Sequence, residues 1–126
     1  MNTSSLDKEA WLKSRKYILE ALDRGIDSHS EKDVFYAIAR GDAQLWTGQK
    51  SAIVTEIVTY PNFKSIRFWL AGGDLEELKE MENPICEWAK SIGCKKAQIV
   101  GRKGWSRVNF KNESYKDVGT ISIRSI

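Results

Sequence analysis

A strand that runs through a double-glycine turn into a long helix most constrains how this chain can fold. Ile66 to Leu70 (Ile-Arg-Phe-Trp-Leu) has the composition of a buried strand. Gly72 and Gly73 follow, and glycine permits backbone angles that other residues resist. Asp74 is a favourable N-cap for a helix whose first turn is acidic. Because a helix N-terminus that faces a glycine turn is a common anion-binding arrangement, this turn is the first candidate site.

The helix after this turn carries the strongest periodic signal in the chain. Its apolar stripe comprises Leu75, Leu78, Met81, Ile85, Trp88, Ala89 and Ile92. Pro84 lies inside the pattern and cannot donate to the carbonyl four residues earlier, so we predict a kink or break that gives two helical pieces. Gly93 ends the second piece, and Lys95 to Val100 reads as a strand. A long crossover between two strands predicts that this strand lies parallel to Lys64–Ala71.

Two amphipathic helices are predicted in the N-terminal part. Residues 1–7 are polar and are expected to form a disordered tail. The first helix runs from Lys8 to about Arg24, with apolar residues at helical spacing on one side. Ser30 and Asp33 resemble a capping box at the start of the second helix, which ends at Gly41.

The period of the apolar residues then becomes strand-like. Short strands over residues 43–46, 51–59 and 64–71, joined by turns, predict an antiparallel meander. Beyond residue 100 we expect a short helix over 103–109 and an extended ending over 115–126. The positions expected to be buried in that ending are Val118, Ile121, Ile123 and Ile126. The whole order predicts one α/β domain with a mixed sheet, spanning residues 8–126.

Composition and charge argue against several classes of function. The net charge is +3, from 20 basic and 17 acidic residues, and no basic run exceeds a few residues, so nucleic acid is not the expected partner. No apolar run is long enough to span a membrane, and the N-terminus lacks the pattern of a signal peptide, so we expect a soluble protein with no membrane partner. Two cysteines and one histidine do not form a recognisable zinc site, and we expect reduced thiols and no metal.

This order of elements resembles the GCN5-related N-acetyltransferase fold. In that family two helices precede an antiparallel meander, and the central strand runs into a long helix that is followed by a parallel strand. The runs Trp69–Leu75 and Ile99–Trp105 are similar to those of small acetyltransferase-like proteins of tailed bacteriophages. The resemblance implies that acetyl-coenzyme A would bind where the central strand meets the helix. The residues it implies for that cofactor are Leu70, Gly72, Gly73, Asp74 and Arg102.

The turn departs from the family's pyrophosphate loop. That loop reads Gln or Arg, two residues, Gly, one residue, and Gly or Ala, whereas this chain has Leu-Ala-Gly-Gly-Asp-Leu from Leu70 to Leu75. Asp74 also places a carboxylate where the pyrophosphate would lie, and a like-charge contact at close range costs about 1 to 4 kcal/mol. The first strand of the family's fold is missing or very short. These departures predict weakened or lost cofactor binding.

Acetyl transfer to an amine needs a base for the amine and an acid for the leaving thiolate. Glu56 lies in a strand between apolar neighbours, and if it points inward, burial would make its carboxylate a stronger base; the alternative is an outward, solvated carboxylate. Tyr115 lies near the position where the family often keeps its tyrosine acid, although a packed ring whose hydroxyl is exposed to water is the better explanation of it. Arg102 could bind an anion in the same cleft, or could belong to a charged turn.

The favoured hypothesis is an acetyltransferase-like phage protein with a degenerate acetyl-coenzyme A loop. It would act as a non-catalytic binding or virion-associated structural protein, with a virion or host protein as its partner and with oligomers possible. It would reside in the cytoplasm of the bacterial host or in the virion. The alternative is an active N-acetyltransferase that uses acetyl-coenzyme A, and a third hypothesis is a nucleic-acid accessory protein that uses the basic residues of the first helix.

Overall fold

The computed structural model describes residues 7–23, 28–99, 118–119 and 122–126. Within them, two helices are followed by three strands, a third helix and a fourth strand. The elements are α1 (Lys8–Asp23), α2 (Glu31–Ala39), β1 (Ala43–Thr47), β2 (Ser51–Thr59), β3 (Lys64–Gly73), α3 (Leu75–Ser91) and β4 (Cys94–Ile99). Residues 1–6 of the tail predicted over 1–7, and the predicted helix over 103–109, lie outside the described residues.

The four strands form one mixed sheet in the order β1-β2-β3-β4. β2 pairs with β1 and with β3 in antiparallel fashion, so the predicted meander is confirmed. β3 and β4 are parallel, as the long crossover through α3 requires. The described chain is therefore a mixed α/β structure whose helices connect and cover a single sheet.

Helices cover both faces of the sheet. The cluster under α3 includes Ile53, Phe68, Leu78, Met81 and Ile85. The cluster under α1 and α2 includes Trp11, Ile18, Val34, Val54 and Leu70. Because β2 contributes to both clusters, its sequence is apolar on both sides, which is the pattern expected of a strand buried between two helical layers.

The central strand β3 carries one residue more than its partner β2. Val54 pairs with Leu70 and Thr55 pairs with Phe68, so Trp69 has no residue opposite it and forms a bulge. A bulge shifts the alternation of side chains by one position. Trp69 and Leu70 therefore both pack on the α1 and α2 side, whereas Phe68 belongs to the cluster under α3.

The predicted division of the long helix at Pro84 is wrong, because α3 continues from Leu75 to Ser91. Buried residues on both sides of the proline, among them Met81 and Ile85, hold the helix against the sheet. Pro84 and Glu80 are both exposed. Water can therefore satisfy the Glu80 carbonyl that Pro84 leaves without a donor, and the proline is tolerated.

The capping box predicted for α2 is confirmed. The Ser30 hydroxyl oxygen accepts a hydrogen bond from the Asp33 amide at 3.3 Å, and the Asp33 carboxylate accepts from the Ser30 amide at 2.8 Å. These two contacts satisfy amides that the first turn of the helix cannot pair internally.

The predicted burial of the ending is wrong for its described residues. The exposed fractions are 88% for Val118, 61% for Ile123 and 109% for Ile126, and Ile121 lies outside the described residues. An apolar alternation predicts which side chains share a face but not whether another layer covers that face.

None of the helices in the described part of the chain has the length and the hydropathy that a membrane-spanning segment requires.

Candidate functional site

Both glycines between β3 and α3 are required by the packing of the chain's own backbone. A Cβ atom on Gly72 would collide with the carbonyl oxygen of Tyr17 in α1. Gly73 has a φ of +115°, and a Cβ there would collide with the Lys50 carbonyl and with Ser51. The double glycine therefore allows α1 and the β1–β2 turn to approach the end of β3, and it needs no ligand to explain it.

Asp74 caps α3 as predicted. Its carboxylate accepts a hydrogen bond from the Glu77 amide at 3.0 Å, and its own amide donates to the Lys50 carbonyl at 3.1 Å. Two amides at the turn are therefore engaged with protein oxygen atoms. Leu70, another residue implied for the cofactor, is 8% exposed and packs its side chain in the cluster under α1 and α2. Arg102 lies outside the described residues.

A second carboxylate, that of Glu77, lies against the β1–β2 turn. It accepts hydrogen bonds from the amide of Gln49 at 2.9 Å, from the amide of Lys50 at 2.8 Å and from the Ser51 hydroxyl. Burial raises the pKa of Glu77, but these hydrogen bonds and the charge of Lys13 outweigh it and hold the pKa below its ordinary value. The backbone amides of the turn thus bind an anion that the protein itself supplies.

Sequence reasoning missed this role of Glu77 and counted it only as an acid in the first helical turn. One signal was present in the sequence. Gly48 lies in the β1–β2 turn, and a Cβ there would collide with the Glu77 carboxylate. A glycine in a turn is nevertheless compatible with many neighbours, so its partner could not be identified before the fold was known.

An open cleft of about 520 Å³ lies between α2 and the sheet. Its wall contains the carboxylates of Asp33, Asp42 and Glu56 and the rings of His29, Tyr36 and Trp69. Glu56, the predicted base, comes from β2, whereas Trp69 comes from the bulge in β3. The cleft therefore unites Glu56 with residues of α2 that no sequence pattern connected to it.

Glu56 forms an ion pair within the sheet. Glu56, Arg67 and Gln98 are register partners that form one row across β2, β3 and β4. Arg67 donates to the first carboxylate oxygen of Glu56 at 2.9 Å, and the Glu56 side chain is 30% exposed. The second oxygen, Oε2, has no hydrogen-bond partner within the described ranges. If Glu56 accepts a proton, the accepting atom would be Oε2. The guanidinium group of Arg67 already pairs with the other oxygen of the same carboxylate.

The row continues to Tyr60, which follows β2. Gln98 donates from Nε2 to the Tyr60 hydroxyl at 2.9 Å, and Arg67 donates to Gln98 Oε1 at 3.3 Å. The hydrogen bond from Gln98 lowers the pKa of Tyr60, and Arg67 adds to this effect although burial opposes it. Tyr115, the predicted acid, lies outside the described residues. Within the described part of the chain, Arg67 and Gln98 connect Tyr60 to Glu56 through hydrogen bonds.

The rim of the cleft is formed by the segment before α2. The His29 ring meets the Trp69 ring edge to face, with 4.9 Å between centroids, and the Ser28 hydroxyl lies 2.7 Å from His29 Nδ1. Hydrogen bonds from Ser30, first from its amide and then from its hydroxyl, hold the pKa of Asp33 below its ordinary value. The rim thus combines a fixed negative charge with aromatic surface.

Metal and disulfide chemistry have no support in the described part of the chain. No group of three His, Cys, Asp or Glu side chains there is close enough to hold a metal ion. Cys86 and Cys94 are reduced thiols, and burial raises the pKa of Cys94, whereas the charge of Lys64 acts in the opposite direction. A raised pKa makes Cys94 a weak nucleophile.

No family model matches this sequence, and no curated protein matches it. Two solved structures do resemble the fold, and both are of the protein TTHA1254 from Thermus thermophilus. A mutant of that protein has a TM-score of 0.66 at 11% sequence identity, with 100% of this chain and 98% of that chain covered. The wild type has a TM-score of 0.63 at 12% identity, with 100% and 96% covered. At such identities the likeness shows the fold alone, which is a mixed α/β domain with helices on both faces of the sheet.

Proposed function

We propose that this protein has an acetyltransferase-like fold that does not bind acetyl-coenzyme A and that it serves a bacteriophage as a non-catalytic binding protein. Its partner would be a virion or host protein, met in the virion or in the host cytoplasm. The order of two helices, an antiparallel meander and a strand–helix–strand crossover supports the acetyltransferase-like part. The observation that carries the non-catalytic part is the turn between β3 and α3.

That turn is occupied by the protein's own groups. Gly72 contacts the backbone of α1, and Gly73 contacts the β1–β2 turn. The Asp74 carboxylate accepts a hydrogen bond from the Glu77 amide. Each close contact between a pyrophosphate and a carboxylate at this turn would cost about 1 to 4 kcal/mol of binding free energy, because the two charges are alike. One such contact is enough to weaken binding from about five-fold to several hundred-fold.

Thermal unfolding with acetyl-coenzyme A tests this proposal. At about 1 mM ligand, a micromolar binder would gain about 4 kcal/mol of stability, which raises Tm clearly. We expect no rise for the parent protein. Asp74→Asn keeps the N-cap while it removes the charge, and a rise confined to this variant would identify the carboxylate as the obstacle. A clear rise for the parent protein contradicts the proposal.

An active N-acetyltransferase is the second candidate, and the position of Glu56 favours it. Glu56 lines the cleft, and its Oε2 atom, which has no hydrogen-bond partner among the described residues, would be the proton acceptor. Arg102 and Tyr115 would supply the cofactor contact and the acid if the family's pattern applies. Release of the free coenzyme A thiol from acetyl-coenzyme A, measured with varied amines as acceptors, would support it. Glu56→Gln should then abolish the release without changing the unfolding curve.

A further inference from the structure

The cleft between α2 and the sheet carries a charge opposite to that of the whole protein. Its described wall contains the carboxylates of Asp33, Asp42 and Glu56 and one guanidinium group, that of Arg40. With His29 neutral, these residues leave the cleft with a net charge of about −2. The chain as a whole carries +3. The local field at this surface therefore attracts a cationic ligand and repels an anionic one.

Each of the three carboxylates has one oxygen that no described residue occupies. Asp33 uses Oδ2 to accept hydrogen bonds from the amide and the hydroxyl of Ser30, at 2.8 Å and 3.0 Å. Asp42 and Glu56 each pair one oxygen with an arginine at 2.9 Å. The other oxygen of each group has no hydrogen-bond partner among the described residues, so it can accept from a ligand.

Aromatic rings line the same cleft. His29 comes from the segment before α2, Tyr36 from α2 itself and Trp69 from the bulge in β3. Tyr36 is 50% exposed, so its ring is accessible to a ligand. A cation is attracted to the face of an aromatic ring by the ring's quadrupole. Rings beside carboxylates suit an organic cation better than a bare metal ion, and the described part of the chain has no three-residue group placed to hold a metal.

The distribution of the acceptor oxygens favours a guanidinium group over an ammonium group. Asp33 belongs to α2, Asp42 to the connection between α2 and β1, and Glu56 to β2. An ammonium group is a compact and strongly hydrated charge. A guanidinium group is planar and weakly hydrated, it stacks on aromatic rings, and its five N–H donors point in different directions. It can therefore reach more than one of these carboxylates while it lies against a ring.

We propose that this cleft binds an arginine side chain that a partner protein presents. Its guanidinium group would lie against the carboxylates and an aromatic ring. The volume of about 520 Å³ lies within the range of ligand pockets, about 300 to 1,000 Å³, so the side chain fits with part of its backbone. The inference deepens the proposed function, on which it rests for the partner being a protein, and it names the chemical group that the partner presents.

Titration of the full, ¹⁵N-labelled chain with the blocked tripeptide acetyl-Gly-Arg-Gly-amide tests the inference by nuclear magnetic resonance. We expect saturable shifts of the amides of residues 29–42 and of the Trp69 indole, with a Kd of about 1 mM. The same peptide with lysine in place of arginine should bind at least about three-fold more weakly. The peptide with citrulline, which keeps the shape of arginine without its charge, should cause no saturable shifts.

Two variants locate the contact. Glu56→Gln and Asp42→Asn should each weaken binding of the arginine peptide about 3- to 10-fold, because each removes one charge from the wall. Glu87→Gln is the matched control. It removes the same charge from an exposed position of α3, which covers the opposite face of the sheet, and it should change the affinity less than about two-fold. Unfolding curves check folding, and Asp42, whose side chain is 66% exposed, keeps the test valid if Glu56→Gln destabilises the sheet.

Three results would overturn the inference. They are the absence of saturable shifts at about 20 mM arginine peptide, equal or tighter binding of the lysine peptide, and wall variants that bind as tightly as the control. The proposed function is tested separately by acetyl-coenzyme A. A parent protein that ignores both ligands keeps the proposed function and loses this inference, whereas a parent that binds acetyl-coenzyme A contradicts the proposed function whatever the peptide does.

Discussion

Replacement of Glu77 by glutamine tests whether an internal anion holds the β1–β2 turn against α3. Glu77 accepts from the amides of Gln49 at 2.9 Å and Lys50 at 2.8 Å and from the Ser51 hydroxyl. Glutamine has one acceptor oxygen, and its NH2 group would face a donor. Hydrogen bonds to a charged group contribute about 1.5 to 3 kcal/mol each, and the partial exposure of Glu77 favours the lower end. We therefore expect a loss of about 1 to 3 kcal/mol in total.

For a domain of this size, that loss corresponds to a fall in Tm of about 4 to 12 °C. Circular dichroism during thermal and urea unfolding measures it. Glu76→Gln is the matched control, because it removes the same charge from the same helical turn. The Glu76 side chain is 78% exposed and pairs only loosely with Lys79 at 3.3 Å. The control should change stability by less than about 0.5 kcal/mol. Equal losses in the two variants would refute the reasoning.

The same contact predicts a dependence on pH. The pKa of Glu77 is lowered in the folded state from an ordinary value of 4.5, so its ionised form is stabilised by folding. This contribution is fully present above the unfolded pKa and is lost as pH falls through the lower, folded pKa. The stability difference between the parent and Glu77→Gln should thus be constant near neutral pH and should shrink below about pH 4.5. A difference that grows on acidification contradicts this assignment.

Three further substitutions test other parts of the structure. Gly72→Ala places a Cβ against a carbonyl of α1 and should cost about 2 kcal/mol or more in urea unfolding, whereas Gly119→Ala meets nothing within 4 Å and should be neutral. Gln98→Ala removes the hydrogen bond that lowers the pKa of Tyr60, so ultraviolet titration should show that pKa rise toward its ordinary 10.0; an unchanged or lower value argues against the contact. Pro84→Ala restores a helical hydrogen bond at an exposed site and, after the proline's effect on the unfolded chain is subtracted, should stabilise the protein by about 1 to 3 kcal/mol in urea unfolding; a loss of stability contradicts this.

The sequence by itself determined the elements whose cause is local. Apolar periodicity predicted α1, α2, the buried stripe of α3 and the meander, and the capping residues Ser30 and Asp74 have the hydrogen bonds expected of them. The parallel pairing of β3 and β4 followed from the length of the crossover between them. Each of these features depends on residues close together in the chain or on the geometry of one connection, so it is readable without the fold.

Tertiary structure decided everything that depends on which residues meet. It decided that α3 passes Pro84 intact, because burial on both sides holds the helix. It decided that the Glu77 carboxylate accepts hydrogen bonds from amides of the β1–β2 turn and that Arg67 forms an ion pair with Glu56. It also placed Glu56 in a cleft with residues of α2. These contacts join residues far apart in sequence, and the alternation of side chains along a strand says nothing of which layer, helix or solvent covers its two faces.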